Sequence, residues 1–108
     1  MKLIIYTIFF FIMGTPAHAS EAHDSCKMIS EMSYSMMLAR QHGTSLSDSM
    51  EILERADGLP EGVRKLSENI LIAAYKMDQH ASPELKEKVS REFENAIYIN
   101  CYTKLNEK

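Results

Sequence analysis

The sequence lacks the residue patterns that most small metal-dependent and redox enzymes need. Its 108 residues include two cysteines, four glycines and four histidines. No C-x-x-C pair, glycine-rich phosphate loop, H-E-x-x-H motif or E-x-x-H motif occurs. A tuned dithiol, a phosphate-binding loop and the usual helical zinc and di-iron sites are therefore excluded. We expect a protein that is not an enzyme and that uses no cofactor.

The sequence also has no excess of positive charge. The chain has 12 Lys and Arg residues against 15 Asp and Glu residues, which gives a formal net charge of −3 at pH 7. The basic residues form no continuous stripe, so the electrostatic footprint of a nucleic-acid-binding protein is missing, and anionic membranes are an equally poor fit. The expected partner is an unidentified protein or a second copy of the same chain.

Long apolar runs are absent except at the start of the chain. Lys2 precedes an apolar run over residues 3–13 that only Thr7 interrupts, and as a helix this run would reach only about 16 Å, roughly half of the hydrocarbon core of a bilayer. Residues 17–19, Ala-His-Ala, then fit the small-x-small pattern that signal peptidase reads. We expect residues 1–19 to be a signal peptide. Residues 20–108 are then a single helical domain, periplasmic or secreted, that does not insert into a membrane after cleavage.

The two cysteines stand near opposite ends of that domain, at Cys26 and Cys101. In an oxidising compartment an even number of cysteines is read first as a disulfide. A domain of this size has a small core, and a bridge that closes so long a loop would stabilise it by about 4–5 kcal/mol on the chain-entropy account. We therefore predict a structural disulfide between them.

Glycine and proline divide the domain into four helical segments. The segments run from about residue 24 to 42, 45 to 57, 61 to 80, and 82 onward. Ser45 and Ser82 stand where helix N-caps are expected. The predicted fold class is all-α, a small four-helix up-and-down bundle. Its last helix runs antiparallel to the first, so Cys26 and Cys101 can meet and close the bundle between the first and last helices.

The third and fourth segments carry more apolar surface than one packed seam requires. The seam predicted for the third consists of Val63, Leu66, Ile70, Ala73 and Met77. Other apolar and tyrosine side chains then project outward, and tyrosine suits protein interfaces. The predicted partner-binding residues are Leu71, Ile72, Tyr75, Tyr98 and Tyr102. A core wider than this seam is the alternative, and it would absorb both patches.

Methionine recurs at every fourth position of the first segment, at Met28, Met32 and Met36. Thioethers are soft ligands that suit Cu(I) or Ag(I), and His23 is a candidate fourth ligand. Methionine also fills cores and adaptable binding grooves. Because the stripe coincides with the apolar face of the segment, packing is the favoured interpretation and soft-metal binding is the alternative.

Several short motifs carry a resemblance to a known group of proteins. They are Cys26 near the mature start, the run Arg-Gln-His-Gly at residues 40–43, Ala74-Tyr75, and Phe93 before Cys101. In these motifs the chain resembles uncharacterised small secreted helical proteins of Gram-negative bacteria and their phages. The resemblance implies periplasmic or secreted residence, and it implies no activity and no catalytic residue.

The functional prediction combines surplus apolar surface with the missing catalytic motifs. It is a non-enzymatic exported protein that acts by binding another protein. Two alternatives stay open at this point, namely soft-metal binding through the methionines and a periplasmic stress chaperone that exposes apolar surface.

Overall fold

The computed structural model describes residues 17–106, which form four α-helices and, within that range, no strand. The helices are α1 (Ala17–Gln41), α2 (Leu46–Arg55), α3 (Glu61–Tyr75) and α4 (Pro83–Asn106). A disulfide joins Cys26 of α1 to Cys101 of α4, with 5.6 Å between the two Cα atoms. The predicted fold class and disulfide are thus confirmed. In this part of the chain no helix is both long and apolar enough to cross a membrane.

Helices α1 and α4 form an antiparallel pair that is held at both ends. The disulfide links Cys26 to Cys101 at one end, and the Gln41 carbonyl accepts a hydrogen bond from Lys86 Nζ at the other. Residues 26–41 and 86–101 contain the same number of positions. The two helices therefore stay in register over about 22 Å.

Serine occupies buried positions of both paired helices, namely Ser30, Ser33 and Ser90. Their hydroxyls donate to carbonyls of their own helix: Ser33 Oγ to Ser30 O at 2.6 Å and Ser90 Oγ to Lys86 O at 2.8 Å. A buried hydroxyl satisfied in this way carries no desolvation penalty for a missing partner. Small side chains thus occupy buried positions without leaving unsatisfied polar groups there.

The apolar core lies where α3 meets the long pair. Its buried members are Met37, Ile70, Ala74 and Phe93. Partly buried side chains packed against them are Ile29, Met36, Tyr75, Val89 and Ile97. Helix α2 packs mainly on α3, so α2 stands beside the pair rather than between its members.

The seam predicted for α3 is wrong by about one position. Leu66 is 43 % exposed and Ala73 is exposed as well, although both were assigned to the buried face. The buried side chains of α3 are Ser67, Ile70, Leu71 and Ala74. One residue corresponds to about 100° of rotation, which turns Leu71 from the outer face into the interior. A pattern based on apolar residues missed this face because a serine and an alanine form half of it.

One predicted helix end and two predicted helix starts are present in the structure. Gly43 ends α1 with a φ of 90°, a left-handed conformation that favours glycine. Ser45 Oγ accepts from Asp48 N at 3.1 Å, and Ser82 Oγ accepts from Leu85 N at 3.4 Å. Both predicted N-caps are therefore present.

Two helix boundaries differ from the prediction. Helix α1 begins at Ala17 rather than near residue 24, because the intervening residues are rich in alanine and contain neither glycine nor proline. Helix α3 ends at Tyr75 rather than near residue 80, because the following backbone is bound by side chains from the end of α1. The predicted signal peptide falls mostly on residues 1–16, which lie outside the described residues.

An exposed polar cluster joins the middle of α1 to α4. Tyr34 donates its hydroxyl to Glu87 Oε2 at 2.6 Å, and the Arg91 guanidinium lies 4.2 Å from the centre of the Tyr34 ring. The hydrogen bond from Tyr34 lowers the pKa of Glu87, and a hydrogen bond from Arg91 acts in the same direction. The same bond to Glu87 raises the pKa of Tyr34.

Substituting Tyr34→Phe is expected to raise the pKa of Glu87 toward its ordinary value, because the main bond to the carboxylate is lost. A carboxyl with a lowered pKa adds stability above its unfolded-state pKa, and that stability is lost as the pH falls through the folded-state pKa. The difference in stability between wild type and variant should therefore shrink in acid. An NMR titration of the Glu87 carboxyl, with Tyr102→Phe as control, tests this. An unchanged Glu87 pKa would contradict it.

Candidate functional site

An apolar groove of about 510 Å³ opens between α1 and α2. Leu71 of α3, only 1 % exposed, forms part of its lining. The lining residues are Met32, Ser35, Met36, Ala39, Ser49, Ile52, Leu53, Ala56, Leu59 and Leu71. Two of these are serines and all the others are apolar. The volume falls within the ordinary range of ligand sites, about 300–1,000 Å³.

Ile52 is the most prominent side chain of this groove. It is 69 % exposed, whereas its neighbour Leu53 is buried against the rest of the fold. Adjacent helix positions point about 100° apart, and the short helix α2 packs mainly on α3, so Leu53 is buried while Ile52 is left exposed. This adjacent pair was the available sequence signal for the groove, whereas the predicted partner-binding residues belong to α3 and α4.

Two side chains of α3 fix the position of α2. Arg64 donates from Nη1 to Leu53 O at 2.9 Å and from Nη2 to Ala56 O at 3.0 Å, which satisfies carbonyls at the C-terminal end of α2. The Tyr75 hydroxyl donates to Thr44 O at 2.7 Å, in the turn that precedes α2. Both ends of the short helix are thus tied down, and the groove wall is held in place.

Substituting Arg64→Met is expected to lower the free energy of unfolding by about 2 kcal/mol, because two charge-assisted bonds to half-buried carbonyls are lost. Urea denaturation followed by circular dichroism measures the change. Lys65→Met, at an exposed position of the same helix, is the matched control and should change stability by less than about 0.5 kcal/mol. Equal effects of the two substitutions would contradict the capping role.

A shallower hollow continues the groove along α1 toward the disulfide. It shares Met32 and Ser35 with the groove. Its other lining residues are Asp24, Lys27, Met28 and Glu31. The combined surface therefore changes along α1 from apolar to charged.

The methionines predicted as soft-metal ligands lie on this surface, but His23 does not. Met32 and Met36 line the groove, and Met28 is 54 % exposed in the hollow. His23 lies about 140° around the helix from Met28, and its Nδ1 is 2.7 Å from the Tyr98 hydroxyl on α4. The four predicted ligands are thus not brought together. The described residues contain no group of three or more His, Cys, Asp and Glu side chains arranged to hold a metal ion.

The predicted partner-binding residues are divided among three places. Leu71 is buried, so its predicted place on an outer surface is wrong. Ile72 is exposed, and Tyr75 is half-buried with its hydroxyl engaged by the α1–α2 turn. Tyr98 and Tyr102 are half-buried near the disulfide and stack on each other, with ring centres 5.8 Å apart. The alternative of a wider core accounts for Leu71, while no continuous patch unites the five.

The acidic groups nearest the groove are exposed and lie outside its lining. Asp24 and Glu31 lie on the α1 side, and Asp48 and Glu51 lie on α2. Arg55 forms an ion pair with Glu51. Two adjacent carboxylates aimed into an apolar pocket would suit acid–base chemistry. Here the lining is apolar and the acids face solvent.

Comparison with known proteins identified no relative of this chain. Neither the protein-family models, the curated protein sequences nor the solved structures contain a match to the chain.

Proposed function

We propose that this chain is an exported, non-enzymatic helical protein that binds another protein through the groove between α1 and α2. The observation that carries the proposal is the exposed Ile52 at the rim of an apolar groove. Exposed contiguous apolar surface of this kind is typical of interaction sites. Covering one such side chain stabilises a complex by about 1.5–3 kcal/mol.

The construction of the groove supports binding without a large rearrangement. Leu71 is buried within its lining, and Arg64 holds the end of α2 by two hydrogen bonds. A preformed site avoids part of the conformational cost of association. Export belongs to the same proposal, since a disulfide between the first and last helices is typical of proteins in oxidising compartments.

Site-specific photo-crosslinking tests the proposal in the organism's own cells. A photoreactive phenylalanine analogue is placed at Ile52 of the full chain, and in a second strain at Ile99. Both side chains are highly exposed, at 69 % and 62 %, but Ile99 lies on α4 and away from the groove. We expect a discrete protein adduct from position 52 and none from position 99. Equal adducts at both positions, or none at position 52, would contradict the proposal.

Soft-metal binding is a second candidate because Met28 and Met32 share the hollow on α1 with two carboxylates. Thioethers at i and i+4 lie on one side of a helix and suit Cu(I). Titration of the folded protein with Cu(I) under reducing conditions tests this. Binding that survives Met28→Leu together with Met32→Leu would rule out these ligands.

A further inference from the structure

We infer that the groove receives a single amphipathic helix whose polar side is basic. The inference rests on the proposed function and specifies the chemistry of the partner segment. Three properties of the groove lead to it, namely its capacity, its length and the charge of its rims.

The capacity of the groove matches a short row of side chains. An engineered apolar cavity of about 150 Å³ holds one benzene molecule. The groove, at about 510 Å³, has room for about three groups of that size. Three anchors are the number that an amphipathic helix presents at positions i, i+3 or i+4, and i+7.

The length of the groove agrees with the same spacing. The side of the groove that α1 forms, its α1 wall, extends from Met32 to Ala39. Those positions are about 10.5 Å apart on the helix axis, which equals the rise between anchors i and i+7 of a partner helix. A helix lying along α1 would therefore place its first and last anchors at the two ends of the wall.

The described residues offer no edge to a peptide that binds as a β-strand. A strand binds by adding to the exposed edge of a sheet, where main-chain hydrogen bonds supply much of the affinity. Residues 17–106 contain no strand and hence no sheet edge. A helix satisfies its own backbone groups, so it needs only apolar contact from the wall.

The exposed charges beside the groove predict the charge on the polar side of the partner helix. Exposed acidic groups flank the apolar lining on both helices, and they outnumber the basic groups. Asp24 and Glu31, with Lys27, line the adjoining hollow on α1. Asp48 and Glu51, with Arg55, are exposed on α2 next to the lining positions Ser49 and Ile52, and Arg64 of α3 lies at the end of α2 with its guanidinium bound to two carbonyls. Arg55 is already paired with Glu51, which leaves a negative rim facing solvent. Complementarity favours Lys and Arg beside the anchors and disfavours a second copy with the same rim.

Binding to three synthetic peptides of about four helical turns tests the inference. The first has leucine anchors with lysine at the flanking positions, the second has glutamate at those positions, and the third is a scrambled form of the first. The full mature, oxidised protein is titrated with each by fluorescence anisotropy. We expect the lysine peptide to bind at least about tenfold more tightly than the glutamate peptide at low salt. The difference should narrow near 1 M salt, where the Debye length is about 3 Å.

Matched variants locate the binding. Ile52→Asp is expected to lower the affinity for the lysine peptide at least about tenfold, whereas Ile99→Asp should leave that affinity unchanged. Both substitutions are at exposed positions, so circular dichroism and thermal unfolding should match the wild type. Equal affinity for the lysine and glutamate peptides, or for the ordered and scrambled peptides, overturns the inference.

Other occupants give distinguishable outcomes. A dimer that Ile52→Asp converts to monomer in sedimentation, without peptide binding, would overturn the inference in favour of self-association. A fluorescent fatty acid that binds when no peptide does would identify an acyl chain instead and also overturn it. If no peptide binds while position 52 still crosslinks to a protein, the inference fails and the proposed function stands. If the lysine peptide binds but no protein crosslinks at position 52, the proposed function fails.

Discussion

Replacing both Cys26 and Cys101 with alanine should lower the free energy of unfolding by about 4–5 kcal/mol. The bridge spans 75 positions, and a crosslink over a loop of this length removes a large part of the conformational freedom of the unfolded chain. Small domains have only about 5–15 kcal/mol of net stability, so the loss approaches or exceeds half of it for a weakly stable chain. Helix content at low temperature should persist, because α1 and α4 keep the rest of their contacts.

Guanidinium denaturation of the oxidised wild type, the reduced wild type and the double alanine variant measures this effect. The reduced protein and the variant should unfold at similar denaturant concentrations, both well below the oxidised protein. Oxidised and reduced proteins whose stabilities agree within about 1 kcal/mol would contradict the entropic role of the crosslink. A large change confined to the variant would point instead to packing around Cys26, which is fully buried.

Substituting Gln41→Met should cost about 3 kcal/mol of stability. Gln41 is completely buried at the end of α1, and its Nε2 donates to Asp78 O at 2.8 Å while its Oε1 accepts from His80 N at 2.8 Å. Methionine has a similar size but leaves both backbone partners without their bond. Both bonds are half-buried, and each partner left without its bond there costs about 1.5 kcal/mol, in the lower part of the range for buried groups.

Gln79→Met is the matched control for Gln41. Gln79 is exposed, and it donates a single bond, from Nε2 to Gln41 O at 3.2 Å. Its loss should cost less than about 1 kcal/mol, because water replaces an exposed partner. Thermal and urea unfolding of the two variants gives the comparison. If both variants lose the same stability, the buried amide is not the group that holds the α3–α4 loop.

Local chemical signals explain why the fold class was predictable. Gly43 and Ser45 fix the end of one helix and the start of the next through backbone conformation and a side-chain cap, and these effects need no distant partner. The disulfide was predictable because two cysteines and an antiparallel pair allow one arrangement. Interactions within a few residues therefore determine the helix count and most of the boundaries.

The candidate site could not be predicted in the same way because it depends on how three helices meet. The face of α3 that is buried includes Ser67 and Ala74. Their small side chains permit close packing but add little to the apolar periodicity from which a buried face is predicted. The groove appears only when α2 is placed beside α1, and Arg64 sets that position by binding carbonyls of another helix. Such contacts join residues of different helices, and the periodicity within one helix does not predict them.

The antiparallel pair also determines where the chain can be attached to something else. The described ends, Ala17 and Asn106, both lie beyond the disulfide, at the same pole of the molecule. The groove starts at Met32 and extends toward the opposite pole. A tag, a solid support or a neighbouring domain joined at either described end would therefore lie at the pole from which the groove extends away, and it would leave the groove accessible.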